Sequence, residues 1–195
     1  MSLTPAFEIG LWNGWILAAI FLAANYLLMF ISPRENTKEM MDQVKQAQGK
    51  DKQLTYITWI PYLSIMIYSI FVPLKLGTLW FYFGLALFAL GMIAGIVAGV
   101  QLFFRKSGQL MTNGFYRISR NPIYVSCYVI WIGIGVATAS WLILAFVVLS
   151  MIVQHFIILG EERICLEKYS APYREYMNRV PRYILVFPIT KLQNV

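Results

Sequence analysis

The residue types best suited to chemistry lie at the two ends of one long apolar stretch. Arg120 and Asn121-Pro122 precede it, and Glu161 and Glu162 follow it. Asparagine is a good N-cap and proline a good first helical residue, so a helix is expected to begin at Pro122 with its free N–H groups beside Arg120. A helix N-terminus together with a guanidinium can bind a carboxylate or a phosphate. Two adjacent acids, in turn, need a cationic or hydroxyl-bearing partner.

One titratable residue lies inside the apolar stretch itself. His155 precedes Glu162 by seven residues and is therefore on nearly the same face of a helix. Ionisable groups at membrane depth point to function by default. The alternative is that His155 and the neighbouring Gln154 only pack at a helix interface, and both interpretations stay open from the sequence.

The elements that position these residues are predicted to be membrane helices. Of the 195 residues, 59% are hydrophobic and only 13% are charged, which is too little polar surface for a soluble globule. Each crossing needs about 20 apolar residues. Crossings are expected at about 11–31, 56–74 and 78–104, followed by an apolar region at 123–159 that is twice one crossing in length. Thr138-Ala139-Ser140 predicts a turn near the middle of that region, so the last two crossings would form a hairpin.

We therefore expect a single all-α integral membrane domain over residues 1–195, with about five transmembrane helices. Residues 1–104 would hold three crossings and a cytoplasmic loop at 33–55 that contains a short amphipathic helix. Residues 105–195 would hold the hairpin and a cytoplasmic C-terminal helical module. In that module a short helix is predicted to begin after Ser170 or Ala171, with an inner face formed by Tyr173, Tyr176 and Met177.

The positions of small residues predict how helices pack, and the positions of charged residues predict how the protein is oriented in the membrane. Gly91, Gly95 and Gly99 recur every four residues in the third crossing and predict close approach of a neighbouring helix. Every one of the 16 Lys and Arg residues except Lys75 falls in segments that would lie on one side of the membrane. The positive-inside rule then places the N-terminus outside and the C-terminus in the cytoplasm.

The remaining composition narrows the function classes. The net charge of +7 is explained by this orientation and by anionic lipid head groups, so binding to nucleic acid is not expected. Cys127 and Cys165 lack metal-ligand spacing, which predicts two free thiols and no metal site. No basic region precedes the first apolar run, so that run is expected to stay as a crossing rather than be cleaved as a signal.

Several motifs, taken in their order along the chain, resemble the isoprenylcysteine carboxyl methyltransferase family and its phospholipid methyltransferase relatives. The resemblance covers about residues 101–187. It rests on Leu110-Met-Thr-Asn-Gly-Phe-Tyr116, Arg120-Asn-Pro-Ile-Tyr124, the hydrophobic hairpin, Glu161-Glu162 with Leu166, Tyr173, Tyr176 and Arg179-Val-Pro181. The resemblance implies an integral membrane methyltransferase that uses S-adenosylmethionine, with the C-terminal module binding the cofactor.

The resemblance also implies roles for individual residues and for the reaction. The reaction would be carboxyl O-methylation of a prenylcysteine-like or other lipid acceptor, with Arg120 and Glu162 as catalytic residues. The acceptor would contact Tyr128, Trp131 and His155. The cofactor would be bound by Gln109, Leu110, Met111, Gly114, Tyr116, Arg120, Asn121, Pro122, Tyr124, Glu161 and Glu162. The other partners would be membrane lipids, and the sequence does not indicate an oligomeric state.

Three departures from the family pattern bear on the substrate. Asn121 replaces the usual histidine of Arg-His-Pro, Gly108 stands where many members have histidine, and Ile157-Ile158-Leu159 replaces the basic residues of the eukaryotic prenylcysteine enzymes. They point away from a prenylcysteine substrate more than from the cofactor. The small size suggests a prokaryotic member in the cell membrane; a eukaryotic member would lie in the endoplasmic reticulum.

Two other enzyme classes remain alternatives. A phospholipid or amine N-methyltransferase would need a base, for which Glu162 or His155 is the candidate. An NADPH-dependent enzyme is the other alternative, since residues 161–183 also resemble the C-terminal end of sterol reductases.

Overall fold

Six α-helices form the described part of the chain. The computed structural model describes residues 8–49 and 52–184. Lys50 and Lys191, which entered the charge-based orientation, lie outside these residues, as does the C-terminal end of the predicted core. The helices are α1 (Trp15–Ile31), α2 (Arg34–Gly49), α3 (Lys52–Phe71), α4 (Leu79–Phe103), α5 (Pro122–Ala137) and α6 (Trp141–Arg179), with a short 3₁₀ helix at Gly114–Arg117. Within the described residues there is no β-strand, so the all-α prediction is confirmed there.

The predicted turn of the hairpin is confirmed. α5 ends at Ala137 and α6 begins at Trp141. The Thr138 hydroxyl donates to the Ile134 carbonyl at 2.8 Å, and the Ser140 hydroxyl accepts from the Ile143 N–H at 3.3 Å. Ser140 thus satisfies an N–H group that the start of α6 leaves free, and Thr138 adds a hydrogen bond to the last turn of α5, which together mark where one helix stops and the next starts.

One end of the helix bundle, which we call the turn end, collects the start of α1, the end of α3 and the hairpin turn. The Gly14 N–H donates to the Val72 carbonyl at 2.9 Å, and the Leu74 N–H donates to the Trp12 carbonyl at 2.9 Å. The Lys75 N–H donates to the Ala137 carbonyl at 3.0 Å. Five helices therefore begin or end at this face: α1, α3, α4, α5 and α6.

The opposite end, which we call the site end, is covered by the polar helix α2. The chain bends by 118° between α1 and α2, so α2 leaves the direction of the bundle. The buried Asn36 side chain donates to the carbonyls of Phe103 and Arg105, both at 2.7 Å. These carbonyls belong to the end of α4 and the residues after it, and Asn36 thereby fixes α2 to that end.

Helices α4 and α5 pack so closely that glycine is required between them. A Cβ built on Gly84 would lie 2.2 Å from the Ala137 backbone nitrogen, and one on Gly91 would lie 2.7 Å from Ile130 Cγ1. Gly95 has its nearest neighbour at an ordinary 3.4 Å. The predicted close approach along the glycine stripe is therefore confirmed at Gly91, while Gly95 has space for a methyl group.

The main core lies between α1, α3, α4, α5 and α6. Trp131 stands near its centre, with its ring 5.5 Å from that of Phe21 and 6.2 Å from that of Tyr62. Around it pack Leu17, Ile65, Phe88, Ile130, Ile134, Ile143 and Val147. Burying such side chains supplies most of the packing that holds the helices together.

Among the residues that the structure describes, two helices are long and apolar enough to cross a membrane alone. They are α4 and α6, and the bent pair of α1 and the first part of α2 would make a third if it counts as one span. α1 has 17 residues and α5 has 16, slightly fewer than the roughly 20 of a typical crossing. Length and composition thus give two or three crossings, and the predicted number of five remains a prediction.

The predicted break before the last short helix occurs at Ser170. This residue has φ 51° and ψ −120°, inside the span of α6. Pro172 follows and has no N–H to continue the helical hydrogen bonds. Beyond the break, Tyr173 and Tyr176 are buried and Met177 packs against them. The predicted inner face of this short helix is therefore confirmed.

Candidate active site

Glu162 is the centre of a buried ionic cluster at the site end. Its carboxylate is 4% exposed and receives two arginines. Arg120 approaches Oε1 at 3.3 Å, while Arg182 donates to Oε2 from Nε at 3.0 Å and from Nη2 at 2.7 Å. Two guanidiniums against one carboxylate leave a net positive charge. The structure thus brings together Arg120 and Glu162, the two predicted catalytic residues.

The chain after α6 returns to hold Arg120 in place. The Arg120 N–H donates to the Pro181 carbonyl at 2.9 Å, and the Ser119 hydroxyl donates to the Arg182 carbonyl at 2.9 Å. The Arg120 side chain is only 8% exposed. Its Nε–H is buried and has no hydrogen-bond partner among residues 8–49 and 52–184.

Asn121 occupies the predicted N-cap position of α5, and Pro122 is the first helical residue as expected. The Asn121 side chain makes no capping hydrogen bond to the helix. Its Nδ2 donates instead to Glu162 Oε1 at 3.3 Å, so the side chain belongs to the ionic cluster.

The neighbouring acid, Glu161, has a different environment. Its Oε1 accepts a hydrogen bond from the Tyr124 hydroxyl at 2.9 Å. In the described part of the chain it forms no ion pair. The two adjacent acids are therefore not equivalent, since Glu162 is neutralised by arginines and Glu161 is held only by a hydroxyl.

The predicted cofactor segment before α5 lies against the last short helix. Leu110 packs on the cluster of Tyr173, Tyr176 and Val180. The Tyr176 hydroxyl donates to the Tyr116 carbonyl at 2.6 Å. Burial raises the pKa of the Tyr116 hydroxyl, which keeps it neutral. Of the other predicted residues in this segment, Met111 is half-buried and Gln109 is exposed.

Gly114 has a structural reason for its identity. Its φ is +60°, and a Cβ built there would lie 2.0 Å from Gln101 Nε2. The space is needed because Gln101 Oε1 accepts from the Phe115 N–H at 3.0 Å. Gly114 thus lets the 3₁₀ helix contact α4 directly.

Glu39 on α2 ties the same segment to α6. Its carboxylate pairs with Arg105 at 3.3 Å and accepts from the Gly108 N–H at 3.3 Å. It also forms an ion pair with Lys168. Burial alone would raise the pKa of Glu39, but the Lys168 hydrogen bond, the Gly108 N–H and Arg105 together lower it. Glu39 therefore connects three elements around the loop that leads into the predicted cofactor segment.

Replacing Glu39 with glutamine is expected to lower the free energy of unfolding by about 1 kcal/mol at neutral pH. Because the folded-state pKa is below the ordinary 4.5, the stabilisation is present above that value and is lost as the pH falls through the lowered pKa. Thermal unfolding in detergent between neutral and acidic pH would measure both effects. Glu35→Gln, at an exposed position of α2, is the matched control. Equal unfolding midpoints for the two variants would contradict the role of Glu39.

The three predicted substrate residues differ in their surroundings. Tyr128 and Trp131 are buried inside the bundle, and neither the Tyr128 hydroxyl nor Trp131 Nε1 has a partner in the described ranges. His155 is half-buried, and its Nδ1 lies 3.0 Å from the Tyr183 hydroxyl. His155 thus lies beside the chain that returns after α6.

Several residues of the site were not predicted. Arg182 is the most important, and its hydrogen bonds to Glu162 raise its pKa further above the ordinary range of arginine. The sequence contains its motif, Val180-Pro181-Arg182, but the spacing between this motif and Glu162 does not predict that Arg182 contacts Glu162. Asn36 and Glu39 were also missed, since polar residues on a surface helix carry no distinctive pattern.

The chain resembles known proteins over about half of its length. The family model for phospholipid methyltransferases matches residues 74–172, just over half of the chain. A stretch of 105 residues is 28% identical to the nickel-cobalt-cadmium resistance protein NccN of Alcaligenes xylosoxydans xylosoxydans, covering 50% of this chain and 49% of that protein. The chain therefore spans about half the length of this relative. The extent of the family match shows that the chain belongs to the phospholipid methyltransferase family.

Proposed function

We propose that the protein transfers a methyl group from S-adenosylmethionine to a lipophilic acceptor at the site end of the bundle. The supporting observation is the Arg120 guanidinium, which is buried beside the start of α5 and keeps an unpartnered Nε–H among the described residues. A buried charged donor without a partner is costly, and such groups are found where a ligand completes them. The ligand that fits is an anion, such as the carboxylate of an amino acid.

The charges of the site match a cofactor that carries a carboxylate. S-adenosylmethionine supplies a methyl group bonded to a positively charged sulfur, and transfer of this methyl group to the acceptor breaks the carbon–sulfur bond. Arg120 would hold the cofactor's carboxylate, and Glu161 would be available to the acceptor. Glu162 keeps Arg120 in position, together with Asn121. The remaining contacts would come from Gln109, Leu110, Met111, Gly114, Tyr116, Pro122 and Tyr124. The main contribution of these residues would be alignment and exclusion of water.

Glu161 favours an amine acceptor over a carboxylate. Unlike Glu162, it forms no ion pair in the described segments and is held only by Tyr124. A carboxylate acceptor would be repelled by this acid, whereas an ammonium group would be attracted to it and could lose its proton to it. The carboxyl O-methylation implied by the motifs therefore becomes the second candidate, and N-methylation of a lipid amine the first.

The pH profile of methyl transfer is expected to separate the two acceptors. Only an unprotonated amine has a free electron pair, so with an amine acceptor the rate should rise steadily from about pH 6 to about pH 8. A carboxylate acceptor is already ionised and should give a flat profile above about pH 5. The rate is measured at saturating S-adenosylmethionine with extracted membrane lipids as acceptors. A flat profile would contradict the amine proposal.

Five crossings are part of the proposal. The contacts at the turn end and at the site end support this, since α1, α3, α4, α5 and α6 each run from one face to the other. α1 and α5 are short for a crossing, and a locally thinned bilayer would accommodate them. With the positive-inside orientation, the site end faces the cytoplasm and the N-terminus lies outside.

Calorimetric titration with S-adenosylhomocysteine, beside a titration with NADPH, tests the proposed function. Saturable binding of S-adenosylhomocysteine alone is the expected result for the detergent-purified protein. Binding of NADPH alone would replace the methyltransferase by the reductase that the C-terminal motifs also resemble. Binding of neither would overturn the assignment of a cofactor site at Arg120.

A further inference from the structure

Three polar atoms inside the helix bundle lack partners in the part of the chain that the structure describes. They are the Tyr128 hydroxyl, Trp131 Nε1 and Gln154 Oε1. The three residues are 7%, 3% and 2% exposed. These atoms have almost no accessible surface, and a buried polar atom without a partner costs about 1–3 kcal/mol. Three such atoms in one region of a core are therefore a feature that needs an explanation.

Tyr62 on α3 shows that the three atoms belong to one region. Its ring lies 6.2 Å from that of Trp131. The Gln154 side chain and Tyr128 are also neighbours of Tyr62. Tyr128 and Trp131 are three residues apart on α5 and hence on one face of that helix. We call these three residues with Tyr62 the inner polar cluster.

The hydrogen-bond donors and acceptors of the cluster determine which chemical group can bind there. Trp131 Nε1 can only donate, Gln154 Oε1 can only accept, and the Tyr128 hydroxyl can do either. A hydroxyl group matches this set, because its oxygen can accept from Trp131 and Tyr128 while its hydrogen is donated to Gln154. A carbonyl would leave Gln154 unsatisfied, and a charged group would have no counter-ion in the cluster.

The position of the cluster relates it to the active site. Gln154 precedes Glu161 by seven residues on α6, which places the two about 10 Å apart along the helix. Tyr124, the partner of Glu161, lies one helical turn from Tyr128 on α5. The cluster is therefore deeper in the bundle than the acids, in the direction of the turn end.

We propose that the inner polar cluster binds a hydroxyl group of the acceptor lipid, about 10 Å from the group that is methylated. This rests on the proposed function, since it takes the acceptor to be a lipid whose head group reaches Glu161. The substrate class is then a single-chain or otherwise hydroxyl-bearing amino lipid rather than a fully acylated one.

The test compares two lipid probes that differ by one oxygen. They are a single-chain lysophosphatidylethanolamine with a free glycerol hydroxyl and its 2-deoxy analogue, titrated into the detergent-purified protein. Wild type is expected to bind the hydroxyl form at least tenfold more tightly. Trp131→Phe and Tyr128→Phe, which remove one polar atom each and keep the ring, are expected to reduce that ratio to about threefold or less. Trp141→Phe, at an exposed position, is the matched control and should keep the wild-type ratio.

Other outcomes would overturn the proposal. Equal affinity of wild type for both probes would mean that a water molecule alone satisfies the cluster, and binding of neither probe would exclude a hydroxyl lipid of this class. A ratio unchanged in Trp131→Phe and Tyr128→Phe would place hydroxyl recognition elsewhere. Titration of the same samples with S-adenosylhomocysteine keeps the two hypotheses apart, because a failed lipid preference with intact cofactor binding rejects only the inner cluster.

Discussion

Replacing Glu162 with glutamine is expected to weaken binding of S-adenosylhomocysteine at least 100-fold and to reduce methyl transfer to a similar degree. The amide keeps the shape of the side chain but not its charge. Arg120 and Arg182 would then face each other at a buried position with no anion between them. Without the Glu162 carboxylate Arg120 is no longer held in position to bind the ligand's carboxylate, and a hydrogen bond to a charged group contributes about 1.5–3 kcal/mol, which is enough for this loss. Calorimetry and a radiolabelled methyl-transfer assay would measure the two effects.

Two further variants separate binding from folding. Glu175→Gln removes a carboxylate from an exposed pair with Arg179 and should bind like wild type. Arg120→Lys keeps a cation beside Glu162 but removes the Nε–H. It is expected to unfold at nearly the wild-type temperature and to bind S-adenosylhomocysteine about tenfold more weakly, the effect of one charged hydrogen bond. Wild-type affinity in both Glu162→Gln and Arg120→Lys would refute the site.

Gly84→Ala is expected to lower the free energy of unfolding by about 3 kcal/mol, the upper end of the range for overpacking. The reason is that the new methyl group would meet the backbone nitrogen and Cα of Ala137, at 2.2 Å and 2.5 Å. Backbone atoms cannot rotate away as a side chain can, so α4 and α5 would have to separate. Unfolding in detergent, followed by circular dichroism, would measure the change.

The same helix provides the control for this experiment. Gly95 has no neighbour closer than 3.4 Å, so Gly95→Ala adds a methyl group where there is room. Alanine is the better helix former by about 1 kcal/mol, and this variant is expected to be as stable as wild type or slightly more stable. Similar destabilisation by the two substitutions would show that contact with α5 is not the cause.

Helix positions were predictable because their signals are local. The third predicted crossing, 78–104, differs by one residue at each end from α4, Leu79–Phe103. The turn at Thr138-Ala139-Ser140 and the break near Ser170 were predicted from short polar residues and a proline. The number of crossings was not settled in this way, because helices of 16 or 17 residues are near the limit at which length distinguishes a crossing from a core helix.

The candidate site was predictable only in part, for a physical reason. Arg120 and Glu162 were expected to meet because a hairpin brings its two ends to one face. Arg182 was not, since its position depends on backbone bonds from Ser119 and Arg120 to the chain after α6. Such bonds use main-chain carbonyls. Because every residue has one, the sequence does not indicate which carbonyls will form these bonds. The contact of Asn121 with Glu162 was not predicted for a related reason, because the carboxylate is distant in sequence.

The contacts of α2 and of the returning chain have a consequence for exchanging parts between proteins of this family. The matched region, residues 74–172, ends before Arg182 and begins after Glu39, yet both side chains bind into it. A chimaera that transplants the matched region alone would leave Arg105 without Glu39, and Glu162 with Arg120 but without Arg182. The smallest exchangeable unit therefore extends from α2 through Arg182, and a library of hybrid enzymes should place its junctions outside those limits.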